Sequence, residues 1–171
     1  MRKFAMRWGT ILAAGLAVAG VATWAVLGLL GEDSPYRAVH GLLGTVFLLA
    51  YVWLFRRGGA APGPALFFLI ALLPAYAGTA FPDLDILLLG IGGHRNPLFH
   101  SALIYVLPLA MLRRLPPWPR AMLVGFALGL GSHLLWDAID YGDVRWIPGG
   151  TADRIWLIAN GLICLVPPGK R

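Results

Sequence analysis

The stretch FPDLDILLLGIGGHRNPLFHS occupies residues 81–101, and a second stretch, GSHLLWDAIDYGD, occupies residues 131–143. Together they contain five of the eight acidic residues and three of the four histidines of a chain that is 58% hydrophobic. Carboxylates and imidazoles among apolar helices are costly unless they pair, bind a metal or line a wet cavity. The two stretches therefore predict a functional site, which we interpret as a metal site.

The rest of the chain is built from apolar runs, as in an integral membrane protein. Only 13% of the 171 residues are charged, and the mean hydropathy is +0.73, which argues against a soluble fold. Most of the runs have about the length that a helix needs to cross a membrane. We predict an all-α fold, with residues 1–171 forming a single integral membrane domain, a polytopic transmembrane helical bundle of five to six spans. The six runs are residues 8–30, 38–55, 65–81, 98–112, 121–139 and 155–166.

The basic residues predict the orientation of this bundle. If the amino terminus is cytoplasmic, the cytoplasmic segments carry ten Lys and Arg residues and no acid, whereas the external segments carry four Arg and all eight acids. Both termini are then cytoplasmic, and the site faces the periplasm or cell exterior from an inner (plasma) membrane. This pattern accounts for the net charge of +6, so nucleic acid is not an expected partner.

The spacing of the site residues supports metal binding. His133 and Asp137 are four residues apart, so on a helix they project from one face and can hold one cation together. A simple His–Asp hydrogen bond is the alternative. Taken jointly, three histidines and three aspartates at one predicted depth offer nitrogen and oxygen ligands that suit Zn²⁺, or Mn²⁺ or Fe²⁺, as one or two ions. The predicted metal ligands are Asp83, Asp85, His94, His100, His133 and Asp137, of which Asp83, His100, His133 and Asp137 are also the predicted catalytic residues.

Further residues near these stretches are predicted to contact substrate or support the ligands. Arg95 and Arg145 are placed to bind an anionic head group, unless each neutralises a nearby Asp, and Ser101 is included in the substrate-binding set. One of Asp83 and Asp85 is also a possible N-cap of a short helix that begins at Leu84 or Ile86. His40 either borders the site or is a structural helix-end residue.

Three motifs resemble a known family. PDLD at 82–85, HRNPLFHS at 94–101 and SHLLWDAIDYGDVRWIP at 132–148 resemble the YdjM-like inner-membrane metal-dependent hydrolases, with PDxD, HR…HS and HxxxD motifs in that order. The resemblance implies the same six ligands. It also implies phosphoester hydrolysis, since that family is thought to be distantly related to zinc-dependent phospholipases C and single-strand nucleases. The chain departs from many members at Ile86 and Phe99, where they carry His and Thr.

We therefore expect a membrane-embedded hydrolase that uses Zn²⁺ to cleave a phosphoester of a membrane lipid or lipid-linked phosphate, because a bound metal of this kind activates water. A site at head-group depth favours an amphiphilic substrate. Two alternatives stay open at this point. One is a metal-dependent amide or ester hydrolase that acts on acyl lipids, and the other is a metal-binding transporter or structural membrane protein.

Overall fold

The computed structural model describes residues 34–56, 62–111, 116–140 and 150–166, and these residues form helices and turns with no β-strand. The predicted span at residues 8–30 lies outside the described residues. The elements are α1 (Ser34–Phe55), α2 (Pro64–Ala80), α3 (Leu84–Leu89), a 3-10 turn (Ile91–Gly93), α4 (Leu103–Met111), α5 (Pro117–Ile139) and α6 (Thr151–Leu165).

Three helical segments in this part of the chain are long and apolar enough to cross a membrane. They are Ala38–Phe55 within α1, Pro64–Leu89 from α2 through α3, and Pro117–Ile139, which is α5. These segments contain the second, third and fifth apolar runs. The middle segment extends through α3 to Leu89, beyond the end that the sequence predicted at residue 81. The all-helical fold is therefore confirmed, and the segments are consistent with a membrane protein.

The fourth and sixth runs differ from the sequence-based boundaries. Residues 97–100 form turns, so the run at 98–112 becomes helical only at Leu103, and α4 is nine residues, about 14 Å, long. The turn ends where the Ser101 hydroxyl accepts a hydrogen bond from the Leu103 amide at 3.1 Å. The sixth run begins earlier than predicted, at Thr151, and α6 has fifteen residues, about 22 Å.

Helix α5 lies at the centre of the fold and packs backbone to backbone against α2. A Cβ atom on Gly125 would meet the Ala71 carbonyl, and one on Gly129 would meet the Ala75 carbonyl. From the other side, a Cβ on Gly78 would meet the Phe126 carbonyl. Small residues let helices approach this closely. The contact brings the end of α2, with Asp83 three residues beyond it, beside His133 on α5.

Helix α6 packs against another side of α5 at a second glycine contact. A Cβ on Gly131 would lie 2.9 Å from the Gly161 carbonyl, and one on Gly161 would lie 3.2 Å from the Gly131 carbonyl. Buried residues of α1, α2 and α5 form one hydrophobic cluster, and those of α4, α5 and α6 form another with Ala102. The polar site lies at the end of α5 where all these helices meet.

Candidate metal centre

Two aspartates enter the site from the turn between α2 and α3. Asp83 occupies the N-cap position of α3, but its carboxylate makes no capping hydrogen bond. That carboxylate instead points to His133, with Oδ1 3.7 Å from Nε2. Asp85 lies in the first turn of α3 and is fully buried. The predicted helix start at Leu84 is correct, but neither aspartate is used as a side-chain cap.

The loop after the 3-10 turn folds around Asp85. Its Oδ1 lies 3.1 Å from Nδ1 of His94, and its Oδ2 accepts a hydrogen bond from the Asn96 amide at 3.0 Å. Between these residues, Arg95 adopts the left-handed conformation with φ of 62° and is 97% buried. A non-glycine residue in this region is strained and marks a conformation that the surrounding structure imposes. Arg95 Nη2 donates to the Asp140 carbonyl at 3.3 Å, which ties the loop to the end of α5.

His100 lies between two carboxylates. Its Nδ1 is 3.2 Å from Asp85 Oδ2, and its Nε2 is 3.3 Å from Asp137 Oδ2. The imidazole is fully buried, yet neither nitrogen has a well-aligned hydrogen-bond partner among the residues that the structure describes. Buried polar atoms are rarely left in this state, and each such case calls for an explanation. A bound cation between the rings and the carboxylates would provide one.

The hydrogen bond made by His133 decides which of its ring nitrogens is available. Nδ1 lies 2.7 Å from the Thr79 carbonyl, which is one of the last carbonyls of α2 and can only accept. Nδ1 therefore carries the hydrogen, and in the neutral ring Nε2 carries the lone pair. That nitrogen faces Asp137 Oδ2 at 3.2 Å. Two electron-rich atoms at this distance need a cation, either a proton or a metal ion, between them.

The sequence-predicted ligands come together as two adjoining groups. Asp85, His94 and His100 offer ligand atoms within 4.8 Å of one another, and so do His40, His133 and Asp137. Asp137 Oδ2 lies close to both His100 and His133 and joins the groups. Asp83 is adjacent to the second group through His133. The candidate ligand atoms are numerous enough to hold one or two ions.

The structure adds His40, which the sequence left undecided between a border residue and a helix-end residue. Its ring stacks on that of His133 with centroids 4.1 Å apart, and it is 95% buried. His40 is the third residue of the apolar run 38–55, at the same predicted external end as the other histidines. A fourth histidine at the same predicted depth as the other three is the signal in the sequence that indicates His40 as a member of the site.

The remaining predicted site residues have different surroundings. Arg145 lies outside the described residues. Ser101 is fully buried, and its hydroxyl lies 3.4 Å from Asn160 Oδ1 as well as bonding the Leu103 amide. A substrate contact by Ser101, Arg95 or Arg145 stays a prediction. Asp140 is exposed at the end of α5.

The charge of the site favours a divalent cation. Three carboxylates, from Asp83, Asp85 and Asp137, face the imidazoles of the site, and Arg95 follows His94 in the same loop. Positive charge at these carboxylates can come from protonated imidazoles or from a bound cation. Burial of several carboxylates without compensating positive charge is unfavourable. The mixed nitrogen and oxygen donors are those of Zn²⁺, Mn²⁺ and Fe²⁺ sites.

No curated protein and no solved structure matches this chain. A family model described as "Domain of unknown function (DUF5942)" matches residues 38–167. The match includes every residue of both ligand groups and runs from α1 to the end of α6. The chain therefore belongs to the DUF5942 family.

Proposed function

We propose that this protein is a membrane-embedded, metal-dependent hydrolase that cleaves a phosphoester of a lipid or lipid-linked substrate. The observation that carries the proposal is the pairing of His133 Nε2 with Asp137 Oδ2 at 3.2 Å, both buried and without an aligned hydrogen bond in the described part of the chain. A metal ion bound by both atoms would satisfy them, and a proton shared between them is the alternative that the metal measurement tests.

The ligands fit Zn²⁺ best, with Mn²⁺ and Fe²⁺ as competitors. His133, Asp137 and His40 would hold one ion, and Asp85, His94 and His100 a second, with Asp83 beside the first. When bound, such an ion supplies Lewis acidity and lowers the pKa of water. Asp85 Oδ1 lies 3.1 Å from His94 Nδ1, and a hydrogen bond there would orient that imidazole as a ligand.

In this proposal the bound metal ions and Arg95 supply the positive charge that attracts a phosphate. Two divalent ions would exceed the negative charge of the three carboxylates, so the site would attract an anionic head group. Arg95 is held in the same loop as His94, and its guanidinium offers a forked donor pair for phosphate oxygens. In this proposal the carboxylates and imidazoles hold the metal, and Arg95 or Arg145 orients the phosphate.

The surface beside the site favours a lipid as substrate. Helix α3 buries Asp85 on one face and exposes leucines on the other, with Leu87 79% and Leu88 65% exposed. Leu73 of α2 is also 79% exposed, and α2 and α3 belong to one segment of spanning length. An amphiphile whose tail lies against these leucines would have its head group next to Asp83.

The finer topology is also part of the proposal. We infer five or six spans, both termini in the cytoplasm, and a site at the outer face of the inner membrane. The distribution of Lys and Arg supports this orientation. The resemblance of the PDLD, HRNPLFHS and SHLLWDAIDYGD motifs to the YdjM-like hydrolases supports the reaction class.

The test is an assay of the purified protein in lipid nanodiscs with Zn²⁺, followed by analysis of the products. Release of free phosphate or a phosphorylated head group from an added phospholipid supports the proposal. Release of free fatty acid would contradict the phosphoester reaction and favour an acyl-lipid hydrolase. If no lipid is consumed but Zn²⁺ crosses liposomes that contain the protein, the enzyme assignment is wrong and the protein is a transporter.

A further inference from the structure

Two polar side chains of α6 contact the segment that presents His100. Trp156 and Asn160 are four residues apart and therefore lie on one face of the helix. Trp156 Nε1 donates a hydrogen bond to the His100 carbonyl at 2.8 Å. Asn160 Oδ1 accepts from the Ala102 amide at 2.9 Å. Both hydrogen bonds thus hold the backbone on the carboxyl side of the His100 side chain.

Asn160 also caps the amino-terminal end of α4 from another helix. The first amides of a helix have no partner within it, and the chain before α4 is a buried turn. Asn160 Oδ1 satisfies the Ala102 amide and lies 3.4 Å from the Ser101 hydroxyl, which in turn accepts from the Leu103 amide. Asn160 Nδ2 donates to the Trp156 carbonyl at 2.9 Å. Asn has a low helix propensity and α6 is mostly apolar, so the hydrogen bond from the Ala102 amide before α4 explains why Asn occupies position 160.

A contact between α6 and α5 fixes the position of α6 relative to His133 and Asp137, the two ligands on α5. Gly161, next to Asn160, packs against Gly131, which is two residues before His133 on α5. The turn that carries His100 is also closed by a hydrogen bond from the His100 amide to the Asn96 carbonyl at 2.9 Å. His100, His133 and Asp137 are thereby placed by one helix–helix contact and three hydrogen bonds.

We propose that Trp156 and Asn160 are positioning residues that hold the His100 imidazole between Asp85 and Asp137 for metal binding. This inference rests on the proposed function, because the imidazole is positioned toward the metal. It assigns to α6 a role in the site although α6 contributes no ligand. Groups beyond the ligands commonly change metal affinity by about 10–100-fold when they are removed.

The test compares Trp156→Phe and Asn160→Leu with wild type and with Trp118→Phe, which alters an exposed tryptophan at the far end of α5. Each full-length protein is purified in detergent and titrated with Co²⁺, whose visible absorption reports ligand geometry. We expect both positioning variants to lose about 10–100-fold in Co²⁺ affinity and to change the spectrum. Trp118→Phe should match wild type.

A double-mutant cycle separates positioning from general stability. In a His100→Ala background, Trp156→Phe should cause little further loss of Co²⁺ affinity, because the group that it positions is absent. An equal loss in both backgrounds would overturn the inference. An unchanged affinity and spectrum in both single variants would do so as well.

Amide hydrogen exchange keeps the inference testable without a metal. If wild type binds no Co²⁺, the proposed function fails, and the exchange rate of the Ala102 amide then decides the second question. Faster exchange at Ala102 in Asn160→Leu, with no change in Trp118→Phe, supports the positioning contact. Equal exchange in all three proteins contradicts it.

Discussion

His133 Nε2 faces Asp137 Oδ2 at 3.2 Å, because the Thr79 carbonyl accepts a hydrogen bond from His133 Nδ1 at 2.7 Å and so orients the ring. The end of α2 thus sets the orientation of a side chain on α5. This arrangement depends on the close packing of the two helices, since Thr79 reaches His133 only where Gly129 leaves room for the α2 backbone. Packing and site chemistry are therefore directly coupled in this fold.

The coupling predicts that Gly129→Ala destabilises the protein. The added Cβ would overlap the Ala75 carbonyl, so α2 and α5 must separate, at a cost of about 1–3 kcal/mol. The measurement is denaturant unfolding in detergent, followed by circular dichroism. Gly63→Ala is the matched control, because nothing lies within 4 Å of its Cβ position. Equal stability of the two variants would show that the helices are not held in backbone contact.

His40 is expected to act as a ligand in addition to stacking on His133. His40→Phe keeps an aromatic ring at the stacking position but removes the nitrogen atoms, so metal affinity should fall by at least about tenfold, or about 1.4 kcal/mol, while folding is preserved. Isothermal titration with Zn²⁺ measures the affinity and stoichiometry. Wild-type binding by His40→Phe would show that the ring serves packing alone.

Arg95 allows backbone strain to be separated from side-chain chemistry. Arg95→Ala and Arg95→Gly both remove the guanidinium, but only glycine adopts a φ of 62° without strain. The glycine variant should therefore be more stable than the alanine variant by about 1 kcal/mol. Denaturant unfolding of the pair measures the difference, and an alanine variant of equal or higher stability would contradict the strain.

Both Arg95 variants should lower kcat/KM for a phosphoester substrate to a similar extent, because both lose the phosphate-binding donors. Arg95→Lys keeps the charge without the planar fork and should recover part of the loss at most. Wild-type kcat/KM in Arg95→Gly would exclude Arg95 from substrate binding.

The exposed leucines of α3 should matter for lipid substrates alone. Leu87→Ser removes an apolar side chain that is 79% exposed beside the site, so hydrolysis of a phospholipid in vesicles should fall several-fold while hydrolysis of a water-soluble nitrophenyl phosphodiester is unchanged. Leu54→Ser is the control, because Leu54 is also exposed but lies at the end of α1 that is remote from His40 and the site. A parallel loss with both substrates would argue against lipid access at α3.

The sequence predicts much of this site because its signals are local. The four-residue spacing of His133 and Asp137 places both on one face of α5, and the structure has them there. The long apolar runs at 38–55 and 121–139 correspond to helical segments of spanning length with the predicted ends at Phe55 and Ile139, whereas the segment that contains the run 65–81 extends to Leu89. Asp85, His94 and His100 lie within fifteen chain positions around one loop, so their proximity also follows from chain continuity.

The remaining features depend on contacts between distant segments. Apolar composition predicted a run at 98–112. Its first residues form a turn instead, in which the Ala102 amide donates to Asn160 and the His100 carbonyl accepts from Trp156. The indole nitrogen of Trp156 donates to the His100 carbonyl, a contact between residues 56 positions apart that no local pattern indicates. His40 is more than forty residues from the nearest predicted ligand motif, and only the packing of α1 brings its ring onto His133.

The most direct test is the metal content of the detergent-purified protein, measured by elemental analysis for wild type, Asp137→Asn and Asp140→Asn. Asp137→Asn keeps the shape of the side chain, but its amide can donate to His133 Nε2 and so removes the need for a cation. Wild type and Asp140→Asn, altered at an exposed residue one turn away, should hold one or two equivalents of Zn or Mn. Asp137→Asn should lose at least one of them. Wild type without stoichiometric metal after reconstitution, or Asp137→Asn with its full complement, would contradict the metal centre.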